Sequence, residues 1–546
     1  MSPGDDPIQS DQLFRSRSTS GSPLRQEPAV KSTTSMPGWT CLLSGLSGDQ
    51  NPHLLRHLAF DDSDMFGDHR WRVWRVDPRL RGAAYLTLYS NQLLDCSADM
   101  YNYDDIERVF SPYQDELINV YYTFVHPSYP ILERKEEFIA RRTQKQIPCS
   151  LLAVVYSHAC YFWEKSPALR HLICPNASRL RPYIYSILTV EIRTPNLNVL
   201  QAMLLYLQLP PLIIRESNHP GHWAMTTLAV AIAQDIGLHV DPEKWKISLQ
   251  ERKLRRVLWW SVYVHDKWMA HWLGRPSHIR KGDWAVQPLT LSDFANADGM
   301  LSVDEVVQGK IFITLCELSE VLSEVLDSFY SIRSNVEEMD IEQSASLAQD
   351  FMGRLQNWRE TNGYLRLPEA RTASAYTAAL AGCAVETLVR RAHAATFPGE
   401  AGLDSNSDPM ASMMNRVFEM MRDILENRPP QSRMWLSYNR GNLMTIGSHL
   451  ITMVLRSTND EELETRRGTL LEYRGYLGKL AEDERDFEFA RLPLRRLNLI
   501  ISELFGRDDE LVDDIDPGEA DDLSGARTTS AICRAAFNVA VAPTPP

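Results

Sequence analysis

"GHWAMTTLAVAIAQDIGLHVDPEKW", residues 221–245, decides how the chain is read. Its two histidines, two aspartates and closing tryptophan could build a metal or reaction centre, or they could decorate one helix of a packed bundle. Met225, Leu228, Ala229, Ile232, Ala233 and Ile236 recur at steps of three and four, which places them on one stripe of a helix. Gly237 falls just past that stripe, where a left-handed residue commonly ends a helix. The spacing predicts a greasy helix with a glycine stop and an Asp-Pro turn.

The same period extends in both directions. "YQDELINVYYTFVH" (113–126) stops ahead of Pro127 and Pro130, which cannot continue a helix. "PCSLLAVVYSHACYFWEKS" (148–166) is apolar nearly all round, as a buried helix is, and "NLNVLQAMLLYLQLPP" (196–211) closes on two prolines. "LQERKLRRVLWWSVYVHDKWMAHWL" (249–273) starts charged, turns apolar and stops at Gly274. Further helical periods cover 302–333, 341–360, 371–395, 409–427, 433–456, 461–482 and 489–505. The fold class is therefore all-α, a multi-helix array of about a dozen helices. Sustained strand alternation is absent, which disfavours a parallel α/β sheet.

Composition sets the outer segments. Residues 1–36 are rich in Ser, Pro, Gly and Thr and bury too little to offset their ordering entropy, so they read as disordered. Residues 37–104 are mixed, with room for a short strand or two around "RWRVWRVDP". The body divides into 105–361 and a helical continuation, 362–506. An acidic, disordered tail, 507–546, follows. Arg507–Asp522 holds nine acids against one arginine, a net of −8, which leaves −6 of the total −14 for everything else. Such a balance argues against nucleic-acid binding by bulk electrostatics. No apolar run approaches the roughly 18 to 20 residues needed to span a bilayer. Eight cysteines in 546 residues read as isolated thiols of a reducing compartment.

An enzyme would need a recognisable reaction centre, and no nucleophile elbow, paired-histidine zinc motif, dinucleotide turn or phosphate loop occurs. His53 and His57 in "HLLRH" are one turn apart but have no third ligand beside them. His265 and His271 flank Asp266, yet adjacent side chains on a helix point apart. The expected sets of catalytic, cofactor and metal residues are accordingly empty. Asp266 stands out because it interrupts an apolar run from Val257 to Leu273, where an unpaired charge is costly. Arg275, just past the helix end, is its expected partner in a structural ion pair. Trp259, Trp260, Trp268 and Trp272 read as core, since the segment supplies little of the basic groove that base stacking requires.

Three motifs in order carry a resemblance. They are "YYTFVHPSYPIL" (121–132), "HWAMTTLAVAIAQDIGLHVDPEKW" (222–245) and "ERKLRRVLWWSVYVHDKWMAHWLGRPSHI" (251–279). Together they resemble the fungal-specific transcription factor domain, the regulatory middle region of binuclear zinc-cluster transcription factors, across about 105–361. "SGLSGDQNPHLLRHL" (44–58) is similar to a sub-group acting as co-activators in nitrogen-source use. The resemblance implies transcriptional control in the nucleus, with other transcription factors or a second copy of the chain as partners and no membrane. In that family a repeated Cys-x2-Cys-x6-Cys cluster binds two zinc ions and reads DNA. The cysteines here are 41, 96, 149, 160, 174, 316, 383 and 533, none closer than Cys149 and Cys160. The expectation is a chain with no zinc cofactor of its own, reaching DNA indirectly or through a module outside these residues. The readings left open are a DNA-directed regulator, a co-regulator recruited by a partner, and an enzyme with an unrecognised helical site.

Overall fold

The structure, a computed structural model, describes Thr33, Met36 and residues 38–505, apart from 69–70, 80–81, 95–101, 177–179, 211–220, 296–298, 337–339, 367–369, 397–408, 428–433 and 484–485. The expectation for 507–546 lies outside the described residues, as does that for 1–36 save Thr33 and Met36.

The chain opens with β1 (Trp39–Leu43), the single-turn α1 (Pro52–Leu55), β2 (Met65–Gly67), β3 (Arg72–Asp77), β4 (Ala84–Ser90) and α2 (Asn91–Leu94). Helices follow: α3 (Tyr103–Val109), α4 (Gln114–Phe124), α5 (Lys135–Thr143), α6 (Cys149–Tyr161), α7 (Leu180–Glu191), α8 (Leu197–Gln208), α9 (His222–Asp235) and α10 (Leu249–Leu273). The second half adds α11 (Val303–Phe329), α12 (Ile332–Val336), α13 (Ile341–Thr361), α14 (Ala373–Thr396), α15 (Pro409–Asn427), α16 (Asn439–Leu455), α17 (Asp460–Ala481) and α18 (Glu488–Phe505). The all-α body is as the periodicity predicts, and α10 begins and ends at the predicted residues.

The N-terminal sheet is larger than the sequence suggested. Its four antiparallel strands run in the order β1-β4-β3-β2. One face packs Trp74, Val76, Leu86 and Leu88 against Trp245 and Ile247 of the helical body. The other packs Val73 and Tyr85 against Leu55. With both faces covered, β4 is buried over five successive residues and shows no clean alternation.

One large core runs from Ile106 to Tyr438 and centres on α10; a second gathers α14 to α18. α10 joins them. Trp268 stacks on Tyr438, rings 5.6 Å apart, and its Nε1 donates to Ser319 Oγ at 2.8 Å. Trp272 lies so close to α16 that a Cβ at Gly441 would come within 2.6 Å of its ring. α13, α14 and α15 meet at Glu386, a buried carboxylate bound by Arg359, Arg390 at 2.8 Å and Arg416 at 2.6 Å.

The 221–245 stretch is the junction between sheet and bundle. α9 ends in paired turns, Leu238 N–H to Ala233 O at 2.8 Å and Gly237 N–H to Gln234 O at 3.0 Å, with Gly237 at φ +78°. A Cβ there would meet Trp245 at 3.1 Å and Leu43 of β1 at 3.2 Å. Lys246 then donates its backbone N–H to Val76 O at 2.7 Å, and its side chain joins Arg75 on Asp64. Gly237→Ala combines left-handed strain with that crowding, and we expect a loss of at least about 1–2 kcal/mol in urea unfolding. Gly353→Ala in α13, where the added methyl meets nothing within 4 Å, is expected to gain up to about 1 kcal/mol.

Candidate functional site

The site that sequence reading singled out is the middle of α10 and the loop leaving it. Every residue from Val257 to His271 is buried, including the consecutive trio His265, Asp266 and Lys267. α10 can carry this trio because α8, α9, α11 and α16 surround it and every member is partnered, His265 by α8 and α9, Asp266 and Lys267 by each other and the exit loop.

His265 is a satisfied core histidine. Gln208 Nε2 lies 3.3 Å from Nδ1 and Thr226 Oγ1 lies 3.3 Å from Nε2, while burial lowers its pKa to about 4. Gln208 also accepts the Ser437 N–H at 2.7 Å, tying α8 to the segment that starts α16. His271 meets Thr445 at 3.3 Å, and burial holds it down to about 3.

Asp266 is fully buried, and its partners differ from the predicted one. The carboxylate accepts from Ser277 Oγ at 2.7 Å and from the backbone N–H groups of His278 and Ile279 at 3.1 Å each. His278 Nδ1 stands 2.9 Å away. Lys267 Nζ is 3.6 Å from the same carboxylate and donates to Ile279 O and Ser277 Oγ. Burial pushes the Asp266 carboxyl up, but His278, Lys267 and Ser277 outweigh it and hold the group below its ordinary value.

The expected Asp266–Arg275 pair is not formed. Gly274 takes φ +62° and reverses the chain, and the Arg275 N–H closes on Ala270 O at 2.9 Å. That reversal leaves the Arg275 side chain exposed and brings residues 277–279 back along the helix. Lys267, Ser277 and His278 were missed. The available signal was the "SHI" tripeptide so soon after a glycine stop, able to offer a hydroxyl, an imidazole and two N–H groups to a carboxylate upstream.

Other contacts fasten the same loop. His278 stacks on Trp223 of α9, rings 4.1 Å apart, and its Nε2 lies 2.8 Å from Thr227 Oγ1. Trp284 packs on Trp259, Trp260 and Tyr263, and Trp260 Nε1 donates to Gln287 O at 2.9 Å. Arg256 gathers Asp241 at 3.2 Å, Asp293 at 3.1 Å and Glu243. Asp241 in turn accepts the Gln287 N–H at 2.8 Å. The polar groups of "GLHVDPEKW" thus staple the exit loop to α10. Chemically this is a latch: the charged groups of Asp266, Lys267, Asp241 and Arg256 are spent on one another and on the loop, while Trp259 Nε1 and Trp284 Nε1 are buried without a hydrogen-bond partner.

Elsewhere, His53 and His57 are exposed on and beside the single-turn α1. No group of three or more His, Cys, Asp or Glu residues that could hold a metal occurs among the described residues. In "YYTFVHPSYPIL", His126 is half-buried and its imidazole is held down to about 4 by desolvation, and Tyr122 donates to Glu133 O at 2.7 Å. A cavity of about 30 Å³ between Gln208, Arg440 and Glu488 has room for one water molecule. No described helix is long and apolar enough to cross a membrane.

The polar residues at the centre of this helical body brace its exit loop, and comparison with known proteins shows what the chain is similar to. Residues 118–360 match the fungal specific transcription factor domain. It is 24% identical over 512 residues to the transcriptional activator protein DAL81 of Saccharomyces cerevisiae, covering 83% of this chain and 50% of that one. An uncharacterized transcriptional regulatory protein of Schizosaccharomyces pombe is 28% identical over 247 residues, 44% of this chain and 36% of its own. The acetamidase regulatory protein of Aspergillus fumigatus is 25% identical over 264 residues, 47% and 31% respectively. The chain thus spans half or less of these relatives' length. No solved structure matches it.

Asp266→Ala leaves Lys267 buried without its counter-ion, and a loss of about 3–5 kcal/mol is expected in denaturant unfolding. Arg275→Ala is expected to stay within about 0.5 kcal/mol of the parent; equal losses for the two would restore the original pairing. Because the Asp266 pKa is depressed, its contribution is complete above the unfolded value near about 3.9 and is lost as pH falls through the folded value. Thermal melts across that acid range should show a smaller loss of stability in Asp266→Asn than in the parent.

Proposed function

We propose that this chain is a fungal regulator of RNA polymerase II transcription, acting in the nucleus by binding rather than by catalysis. The observation that carries the proposal is the match of residues 118–360 to the family's domain. Support from the relatives is consistent, since the three described above are named as transcriptional activators or regulators. The helical body then serves as the regulatory and dimerisation platform, meeting other transcription factors or a second copy of itself.

How it reaches DNA separates two forms of this reading. The 546 residues contain no two cysteines closer than Cys149 and Cys160, so they lack the short-spaced thiolates that a zinc cluster needs. These residues would therefore reach DNA either through a module outside them or through a partner factor that recruits the chain as a co-regulator. The likeness over 83% of this chain to a protein named as a transcriptional activator supports the activator reading.

Two experiments test the proposal. Fused to an unrelated DNA-binding domain, the chain is expected to change expression of a reporter carrying that domain's site; an unchanged reporter, with the fusion shown to be present in the nucleus, removes the regulator reading. Cross-linking of the chain to promoter DNA should vanish when its partner factors are deleted. Persistence in their absence would favour direct DNA contact.

A further inference from the structure

Beyond α6 the chain turns through 166–176 and comes back to the helix it left. Trp163 Nε1 donates to Leu172 O at 3.0 Å and pins the returning strand. Two residues later, Cys174 Sγ lies 3.8 Å from the carbonyl oxygen of Cys160, in the last turn of α6. That contact, donated by the Cys174 thiol to the Cys160 carbonyl, makes the two cysteines neighbours. Both are thiols in the structure, Cys160 buried and Cys174 exposed. The remaining described cysteines, 41, 149, 316 and 383, are all buried. One thiol of the pair can therefore meet a solute and the other can meet only its neighbour.

We infer that Cys160 and Cys174 form a modification site, a dithiol that a hydroperoxide converts to a disulfide. The thiolate of exposed Cys174 attacks the peroxide O–O bond. An alcohol or water leaves, and Cys174 becomes a sulfenic acid. The Cys160 sulfur then attacks Cys174 Sγ and the S–O bond breaks. The departing hydroxide takes the Cys160 proton and leaves as water. Two electrons pass from the two sulfurs to the peroxide, which is reduced in full, and a dithiol reductant reverses the change.

The order of attack follows from the surroundings. Cys174 beside it, together with burial, pushes the Cys160 thiol up and keeps its proton in place. Cys174 is exposed, so the nucleophile is the sulfur that solvent reaches. Closing the disulfide ties down the turn that displays Leu172 and Ile173, the latter 92% exposed. Oxidation would thereby set how freely this apolar tip is presented.

The test uses the full chain, treated with hydrogen peroxide, unfolded, alkylated and digested without reductant. The expected result is a peptide pair joining Cys160 to Cys174, lighter by two hydrogens and lost on adding dithiothreitol. Cys174→Ser should leave Cys160 fully alkylated after the same treatment, and Cys160→Ser should carry Cys174 on to sulfinic acid or a mixed disulfide. The inference is overturned if parental Cys174 reaches sulfinic acid while Cys160 stays alkylatable. It is overturned equally if Cys160 oxidises unchanged in Cys174→Ser, or if neither thiol reacts at doses that oxidise free cysteine in the same tube.

Discussion

Burying Asp266 beside Lys267, in the middle of a 25-residue helix, is the constraint to which the rest of the structure answers. A charge taken out of water must be met by opposite charge and by hydrogen bonds, or its helix cannot occupy the core. Asp266 obtains both only when the chain reverses at Gly274 and presents 277–279. That reversal sets the course of the exit loop. The loop in turn brings Trp284 onto the face formed by Trp259, Trp260 and Tyr263. The tryptophans supply the larger area, but the carboxylate specifies which loop conformation covers them.

The same helix explains why the two halves form one body. Its outer end carries Trp268 and Trp272 against the start of α16, while its first turns carry Arg255 and Arg256 toward α9 and its exit. Arg255 donates to Ile236 O, just past the end of α9, at 2.9 Å. The sheet joins at that corner through Trp245 and Lys246. Regulation by such a body works through the surfaces it holds in register.

Helices were legible where periodicity and end signals agreed. Asn196, Ser248 and Asn459 each cap a helix by accepting a backbone N–H, and Gly237 and Gly274 stop α9 and α10 in left-handed geometry. The start of α16 was misplaced because "MWLSY" (434–438) is largely apolar and buried without being helical. The sheet was underestimated because β3 and β4 are covered on both faces, which erases the alternation that marks a half-exposed strand. Asp266 was recognisable as a costly residue from its apolar neighbours, yet its partners were not. Formal charge favoured Arg275, whereas the three-dimensional turn favoured uncharged donors from 277–279. The part of the site decided by local pattern could be read, and the part decided by a backbone reversal could not.

The convergence on Glu386 bears on how this body can drift in sequence. Three guanidiniums from three helices answer one carboxylate, so loss of any single arginine leaves two cations in place. Replacing the carboxylate instead abandons all three at once. Such an arrangement forgives change at 359, 390 or 416 taken singly while forbidding it at 386. Descendants of this chain should therefore vary the spokes long before they vary the hub.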